Sequence, residues 1–270
     1  MADRHLYPAA PLRLVAFEVQ YGFAPTLATE QGRADVYRRL QDAYPIADAQ
    51  MTVGFEIVVG PAGGAAQPQP PQAAELVLVD RERTRSVTVG ATALSVQSVI
   101  YKGSEELKQA IATALEAVAH AGISTTRRVG LRFVDEIRAA GVEDATDWLQ
   151  YVSDDLVSPL RFADEYAVEQ AQGVLGLRVA DDIHVVMRFG PGTGFAVNPD
   201  GRLRLPPPEY QQFFLLDIDT FWADPADELR PFDVDRLLAM YAQLDDPAHV
   251  LFERAITDHA RDLFRDHEKA

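Results

Sequence analysis

The chain contains no cysteine, which excludes disulfide bonds, thiolate-bound zinc and a cysteine nucleophile. It also contains no apolar run of about 18 residues, the length that a membrane-spanning helix requires. The first residues, MADRHLYPAA, lack the basic start and the apolar stretch of a signal peptide. These absences predict a cytoplasmic protein that does not enter a membrane.

Positive charge is scarce as well. The chain has 25 Lys and Arg against 41 Asp and Glu, which gives a formal net charge of −16 at pH 7. Such a chain repels phosphate backbones, so a nucleic-acid partner is disfavoured. The densest basic stretch, residues 81–85, is predicted to be an exposed hairpin turn. The acidic surface favours a protein partner instead, and a basic partner in particular.

Familiar catalytic motifs are missing too. The segment GPGTGF, residues 190–195, resembles a phosphate loop but lacks the G-K-[ST] ending and the strand-to-helix order, so it predicts a turn between strands. There is no G-x-S-x-G elbow and no dinucleotide fingerprint, and no two of the six histidines have the spacing of a zinc helix motif. These absences favour a binding protein over an enzyme and predict no bound cofactor.

The residues that are present predict a sizeable core. Hydrophobic residues make up 47% of the 270 positions, enough for one large domain or two small ones. Alternating apolar residues predict strands at 13–23, 127–137 and 213–222, and a helical stripe predicts a helix at 104–121. Further strands are predicted at Met51–Val59 and in EYAVEQAQ, residues 165–172, with a flexible insertion at 61–74. Since groups of strands precede each long helix, the pattern predicts an α+β fold with antiparallel sheets and packed helices.

The predicted elements fall into two similar halves. Residues 1–139 form an N-terminal α+β half, residues 140–160 a helical connector and residues 161–270 a C-terminal α+β half. Each half has antiparallel strands, a helix and one strongly apolar strand, so a pseudo-duplication is a reasonable hypothesis. No repeat of fixed period is present in the sequence. The two halves form either two domains or one continuous domain.

Two aspartates stand inside the strongly apolar strand FFLLDIDTFW. Asp217 and Asp219 point to the same strand face, about 7 Å apart at the usual rise per residue. A D-x-D pair suits a divalent cation only when further oxygen ligands join it, and residues 224–228 supply three more carboxylates nearby. The other interpretation is a polar strand face whose aspartates pair with arginines on a neighbouring strand, such as Arg132. The sequence favours this second interpretation and no metal site.

Other candidate site residues lie in strands that resemble this one. Asp135 and Glu136 close the strand RRVGLRFVDEI, and if the halves are pseudo-symmetric, Asp135 and Asp217 converge in a carboxylate cluster suited to acid–base or metal chemistry. The competing interpretation treats them as ordinary strand-end residues. His184 lies in IHVVMRFG and alternates with apolar residues, which is typical of a satisfied or exposed strand histidine.

Several segments resemble landmarks of a known family, in the same order along the chain. They are LYPAAPLRLVAFEVQYG at 6–22, DAYP at 42–45, RRVGLRFVDEI at 127–137, LLDIDTFW at 215–222 and FERAITDHARDLF at 252–264. These segments resemble a sporadically distributed family of bacterial proteins of about this length that has no established activity. The resemblance implies no catalytic residue. The sporadic distribution implies horizontally moved genes, such as those of defence or toxin-linked loci.

Two functional hypotheses follow. The first is a non-catalytic acidic protein that binds a protein partner, as an antitoxin, an immunity factor or an accessory subunit does. The alternative is an enzyme or small-ligand receptor with a carboxylate-lined cleft between the two halves. Its site would contain Asp135, Asp217 and Asp219 together with Arg132 or His184.

Overall fold

The structure is a computed structural model that describes residues 7–48, 75–164, 166, 171–197, 202–223 and 229–265. Divided by topology, between residues 119 and 125 rather than at residue 139, the chain has a first half that contains β1 (Leu12–Tyr21), α1 (Pro25–Ala28), α2 (Glu30–Leu40), β2 (Ile46–Asp48), β3 (Leu76–Val79), β4 (Arg85–Val89), β5 (Ala93–Ser98) and α3 (Ser104–Ala119). The second half contains β6 (Thr125–Ile137), 3₁₀ turns at Ala145–Gln150 and Ser158–Asp164, α4 (Asp154–Val157), β7 (Gly173–Arg178), β8 (Ile183–Thr193), β9 (Gln212–Ala223), β10 (Arg230–Pro231), α5 (Val234–Ala255) and α6 (Asp258–Arg265).

All ten strands belong to one antiparallel sheet. Nine of them follow the order β2-β3-β4-β5-β1-β6-β9-β8-β7, and β10 pairs with the start of β6. The two halves meet at the β1–β6 pair, whose register runs from Leu12 opposite Asp135 to Tyr21 opposite Thr126. The predicted α+β fold with antiparallel pairing and packed helices is therefore confirmed. The domain boundaries at 139 and 161 stay a prediction.

The two halves have the same topology. Each begins with a long strand, continues through helical segments into a run of hairpin-connected strands, and ends with a long helix. Equivalent strands also occupy equivalent places: β5 lies beside β1 and β9 lies beside β6, followed outward by β4 and β8, then by β3 and β7. A pseudo-twofold relation between the halves therefore passes between β1 and β6.

Helices cover one face of this sheet. The helix α3 packs against β5, and α5 packs against β6, β8, β9 and α3. The apolar stripe of α3, with Leu107, Ile111 and Leu115, is fully buried because it faces the apolar side of the central strands. The helix α5 starts at Asp233, whose carboxylate accepts a hydrogen bond of 2.8 Å from the Arg236 amide. None of the described helices has both the length and the apolar character needed to cross a bilayer.

The other face of the sheet is only partly covered. Chain segments on either side of residues 198–201 cross one end of it, and we call residues 194–197 and 202–210 together the strap. Val197 and Leu203 of the strap are buried in a small apolar cluster, whose sheet members are Leu14, Val77, Val79, Val99, Val134, Phe213 and Leu215. The remaining part of this face, which we call the open face, carries mainly polar side chains.

Some predicted features differ from the structure or lie outside it. Residues 190–193, predicted to be a turn, continue β8 and pair with β9. Pro191 pairs with Phe214 of β9, whereas β7 ends its pairing two residues earlier, at Phe189. The predicted strand at 51–59, the insertion at 61–74, most of the strand at 165–172 and the carboxylates at 224–228 lie outside the described residues.

Candidate functional site

The sheet separates the predicted site residues into two groups. Arg132, Asp217, Asp219 and His184 all point to the open face, because β6, β8 and β9 pair in a register that aligns Asp219 with Arg132 and His184 with Phe221. Asp135 points to the helix-covered face, where its pairing partner is Leu216. The expected meeting of Asp135 and Asp217 therefore does not occur, since neighbours along a strand alternate between faces.

Asp217 is held by arginines on both neighbouring strands. Its side chain is fully buried, and its two oxygens accept hydrogen bonds of 2.6 and 2.8 Å from Nε and Nη2 of Arg132. Arg188 on β8 adds a third hydrogen bond of 3.3 Å. This two-point contact is the strongest geometry for an arginine–carboxylate pair. Both carboxylate oxygens of Asp217 therefore accept hydrogen bonds from arginines within the sheet.

Asp219 belongs to a looser part of the same network. Arg128 lies 3.1 Å from Asp219 and 3.6 Å from Glu18 on β1. Burial raises the pKa of Asp219, and the charges of Arg128 and Arg132 only partly oppose this effect. Phe221 completes the cluster, since Arg128 lies 4.7 Å from its ring centre and the His184 ring stacks on it at 5.6 Å. The open face is thus a set of paired charges and stacked rings.

The strap is fixed by a second buried carboxylate. Glu136 accepts hydrogen bonds from the amides of Ala196 (2.6 Å) and Val197 (3.2 Å) and from Arg138 (2.6 Å). Arg138 in turn donates to the carbonyl oxygen of Gly194 at 2.6 Å. Glu136 is therefore a structural residue. No group of three or more histidine, aspartate or glutamate side chains in the described ranges is arranged to hold a metal ion.

A cavity lies on the helix-covered face, between the sheet and α5. Its volume is about 120 Å³. The first half contributes Leu12 of β1 and Tyr101, Gly103 and Ser104 of the turn before α3, and the second half contributes residues of β6, β9 and α5. The turn has its shape because Gly103 adopts a φ of 115°, a conformation that glycine accepts most readily. The cavity therefore lies where the two halves meet.

Four aromatic side chains form part of the cavity wall. Tyr7 and Phe252 lie on one side with their ring centres 6.3 Å apart, and Tyr101 meets Phe133 edge-on at 5.8 Å. The hydroxyl of Tyr7 donates to Glu253 at 2.9 Å. Burial, together with this hydrogen bond, raises the pKa of Tyr7 to about 12, so the tyrosine stays neutral at physiological pH. The wall is apolar and rigid.

Asp135 supplies the acidic group of this cavity. The residue is 4% exposed and lines the cavity, and none of the hydrogen bonds or ion pairs between described side chains involves its carboxyl. Burial, followed by the negative charge of Asp217 across the sheet, raises the pKa of Asp135 to about 8. Buried polar groups almost always have partners, because leaving one unpaired costs about 1–3 kcal/mol. The carboxyl of Asp135 is therefore open to the cavity, where water or a ligand can bond to it.

A second polar group occupies another part of the cavity wall. Asp245 on α5 accepts a hydrogen bond of 2.8 Å from the Ser104 hydroxyl, and the Tyr241 hydroxyl lies 3.1 Å from the same hydroxyl. His249, one turn further along α5, also lines the cavity. These contacts tie the start of α3 to α5 and fix the position of Asp245.

Sequence reasoning missed most of this cavity. Tyr7, Tyr101, Asp245 and Phe252 lie in three distant parts of the chain, and only the fold brings them together. One signal was present: in RRVGLRFVDEI, Asp135 continues the alternation that starts with the buried, helix-facing Val129. An aspartate in an apolar series is the pattern of a buried carboxyl.

Comparisons with known proteins do not identify the chain. No family model matches it, and no curated protein shows significant similarity to it. Among solved structures, Methanococcus jannaschii TBP aligns with 89% of this chain and 97% of its own, at 14% sequence identity and a TM-score of 0.24. A TM-score this low establishes neither a shared fold nor a shared function.

Proposed function

We propose that this protein binds a small organic ligand in the cavity between its two halves. The observation that carries the proposal is the carboxyl of Asp135, which is buried, lines the cavity and has no partner among the described residues. Ligand sites are typically apolar cavities with a few polar groups that fix orientation. Here Asp135 and Asp245 are such groups, and the aromatic residues supply the apolar surface.

The size of the cavity supports a small ligand. At 120 Å³ it is close to the roughly 150 Å³ of an engineered apolar cavity that holds benzene. A ligand of about five to eight non-hydrogen atoms fits this space. The position between the halves also suits a receptor, because a bound ligand would contact β1 and the turn before α3 from one half and α5 from the other.

The test is a ligand screen against a variant with a blocked cavity. Ala10 is exposed and lines the cavity, so Ala10→Phe fills its mouth without disturbing the core. Ala242→Phe makes the same change on an exposed part of α5 away from the cavity and serves as the control. Small cationic, anionic and neutral compounds are screened by thermal shift. We expect at least one class to stabilise the wild type and Ala242→Phe but not Ala10→Phe. If no compound distinguishes these proteins, the proposal fails.

The edge of the sheet favours a second candidate function, the binding of a protein partner. The strand β7 is the last strand of the described sheet, and its Val174 and Leu175 are 72% and 39% exposed. An exposed apolar edge strand can pair with an extended segment of another chain. The net charge of −16 would favour a basic partner. A role as antitoxin, immunity factor or accessory subunit would use this edge.

This second candidate is tested by a pull-down of the tagged protein from its native cells. We expect a basic partner whose recovery falls with increasing salt and is lost in Val174→Glu. Val250→Glu, which changes an exposed valine on α5, is the control. Equal recovery with Val174→Glu and Val250→Glu would exclude β7 as the binding edge.

A further inference from the structure

The charges around the cavity restrict the ligand. Two of its described lining residues are carboxylic acids, Asp135 and Asp245, and none of them is a lysine or an arginine. Among the described lining residues, the side chain that can carry a positive charge is His249. When Asp135 is ionised, a cavity with this balance repels anions and favours cations, because a buried charge requires an opposite charge nearby.

The aromatic wall has the same preference. Tyr7, Tyr101, Phe133 and Phe252 surround the cavity, and the faces of such rings carry negative potential. Organic ammonium ions bind against these faces, and the attraction strengthens when water is excluded. A neutral apolar ligand would use the rings but would leave the Asp135 carboxyl unpaired.

From this arrangement we propose that the ligand is a small organic monocation, an amine or a quaternary ammonium compound, whose charge lies against Asp135 and the aromatic wall. This proposal rests on the proposed function, since it names the chemical class that the same cavity binds. Asp245, fixed by Ser104 and Tyr241, would stabilise the cation from the α5 side.

Binding of a cation should release a proton. With a pKa raised to about 8, Asp135 is mostly protonated in the empty cavity at neutral pH, and a cation beside it favours the ionised form. Affinity should therefore rise with pH and level off above about pH 8. Several other titratable groups face Asp135: Asp245 and His249 from α5, Tyr101 from the turn before α3, Tyr7 from the N-terminal segment, and Asp217 across the sheet.

The experiment compares charged and neutral molecules of equal shape. The probes are choline with its uncharged isostere 3,3-dimethyl-1-butanol, and butylamine with 1-butanol, titrated into the full chain by calorimetry. We expect at least one cation to bind roughly ten-fold or more tightly than its isostere, as a charged partner of a buried carboxyl should. In Asp135→Asn this preference should disappear, while the affinity for the neutral isostere changes by less than about two-fold.

Two further variants test which group causes the pH dependence and whether the aromatic wall contributes to cation binding. His249→Gln should keep the rise in cation affinity between about pH 6 and pH 8, whereas Asp135→Asn should lose it. If His249→Gln abolishes the rise instead, Asp135 does not release the proton and the proposal is overturned. Tyr101→Leu should weaken cation binding about three-fold or more and leave the neutral isostere nearly unchanged. This variant tests the proposal even when Asp135→Asn does not fold.

The failure of this proposal and that of the proposed function give different results. If neutral or anionic compounds bind, Ala10→Phe blocks them and neither cation is preferred, the cavity is a ligand site but not a cation site. If no compound binds, both proposals fail. Because Arg4 precedes the cavity-lining Tyr7 by only three positions, Arg4→Gln is titrated in parallel. If a cation binds to Arg4→Gln but not to the wild type, the side chain of Arg4 competes for the site. This result would also overturn the proposal.

Discussion

Buried carboxyl groups on the two faces of the sheet differ in their hydrogen-bond partners. Asp217 on the open face and Asp135 on the helix-covered face lie on paired strands and are 0% and 4% exposed. Asp217 receives hydrogen bonds from Arg132 and Arg188, whereas Asp135 has no partner among the described residues. On the open face, this chain places arginines beside a buried acid and so compensates its negative charge. The acid without a partner among the described residues is the one on which the proposed function rests.

The physical reason for the difference is the neighbouring surface. On the open face, arginines on β6 and β8 can reach across to Asp217 and still contact water with the rest of their side chains. On the other face, Asp135 lies beside α5 and aromatic residues, and no lysine or arginine is among the described residues that line the cavity. On the open face the arginines compensate the charge of Asp217, whereas on the helix-covered face burial raises the pKa of Asp135.

The largest effect is expected where the pairing is most complete. Asp217→Asn removes the charge that holds Arg132 and Arg188, and the new amide donors face guanidinium donors. Breaking such a buried pair should lower the free energy of unfolding by about 3 kcal/mol, somewhat offset by hydration of the partly exposed arginines. Urea unfolding measures this change. If the loss is below about 1 kcal/mol, Asp217 behaves like a surface pair and the comparison between the two faces weakens.

The second prediction concerns the strap. Glu136→Gln keeps the shape of the side chain but replaces a charged acceptor of two backbone amides and Arg138 with a neutral one. We expect a loss of about 2 kcal/mol, because hydrogen bonds to charged groups contribute about 1.5–3 kcal/mol. Hydrogen exchange at the amides of Ala196 and Val197 should accelerate as well. Glu106→Gln, at the more exposed pair with Arg85, is the matched control and should change neither amide. Unchanged exchange in Glu136→Gln would contradict the role of Glu136 as the anchor.

The strands of this fold were predictable because their faces differ in polarity. The patterns at 13–23, 127–137 and 213–222 correspond to β1, β6 and β9 within two residues at each end. Each of these strands buries one face against helices, so a shift by one residue would expose the whole apolar set. This constraint explains why apolar and polar residues alternate in these segments. The segment 190–193 was predicted wrongly because glycine and proline there signal a turn, while the open edge beyond β7 tolerates both in a strand.

The site was predictable only in part. Each aspartate could be placed on a strand face, but the pairing of Asp217 with Arg132 depends on the β6–β9 register, and no local pattern fixes that register. The sequence also does not say which face the helices cover. Pseudo-symmetry suggested that Asp135 and Asp217 converge, yet they occupy successive positions in the paired strands and therefore point in opposite directions. The cavity needs contacts between residues more than 200 positions apart, such as Tyr7 with Phe252.

The third prediction uses pH to examine the unpaired acid. Burial raises the folded-state pKa of Asp135 from its ordinary value of 3.8 to about 8, so the group favours folding at low pH, and this contribution is lost as pH rises between these values. Asp135→Asn removes the ionisation. We therefore expect the variant to become more stable than the wild type as pH rises, by about 1–2 kcal/mol at pH 8.5, since an unpaired buried charge costs at least that much.

Thermal unfolding from about pH 4 to pH 8.5 measures this difference. The matched control is Asp147→Asn, since amide hydrogen bonds from Asp144 and Glu143 lower the pKa of Asp147. The contribution of Asp147 is present above the unfolded pKa and is lost as pH falls, so this variant should be destabilised at neutral pH, the opposite sign. A difference curve for Asp135→Asn that stays flat with pH would show that the carboxyl finds a partner in solution.

The smallest effect is expected at Asp219, the neighbour of Asp217 on the same strand face. Burial raises its pKa despite the arginines beside it, so pairing with Arg128 at 3.1 Å does not fully offset the loss of hydration. Asp219→Asn should therefore change the free energy of unfolding by less than about 0.5 kcal/mol, as is common for half-exposed pairs. Urea unfolding at low and at high salt checks this, since any residual contribution should shrink as salt screens the pair. A loss of unfolding free energy equal to that of Asp217→Asn would mean that Arg128, Arg132 and Arg188 hold both aspartates as one unit. In that case, the number of arginine contacts to each aspartate would not determine its contribution to stability.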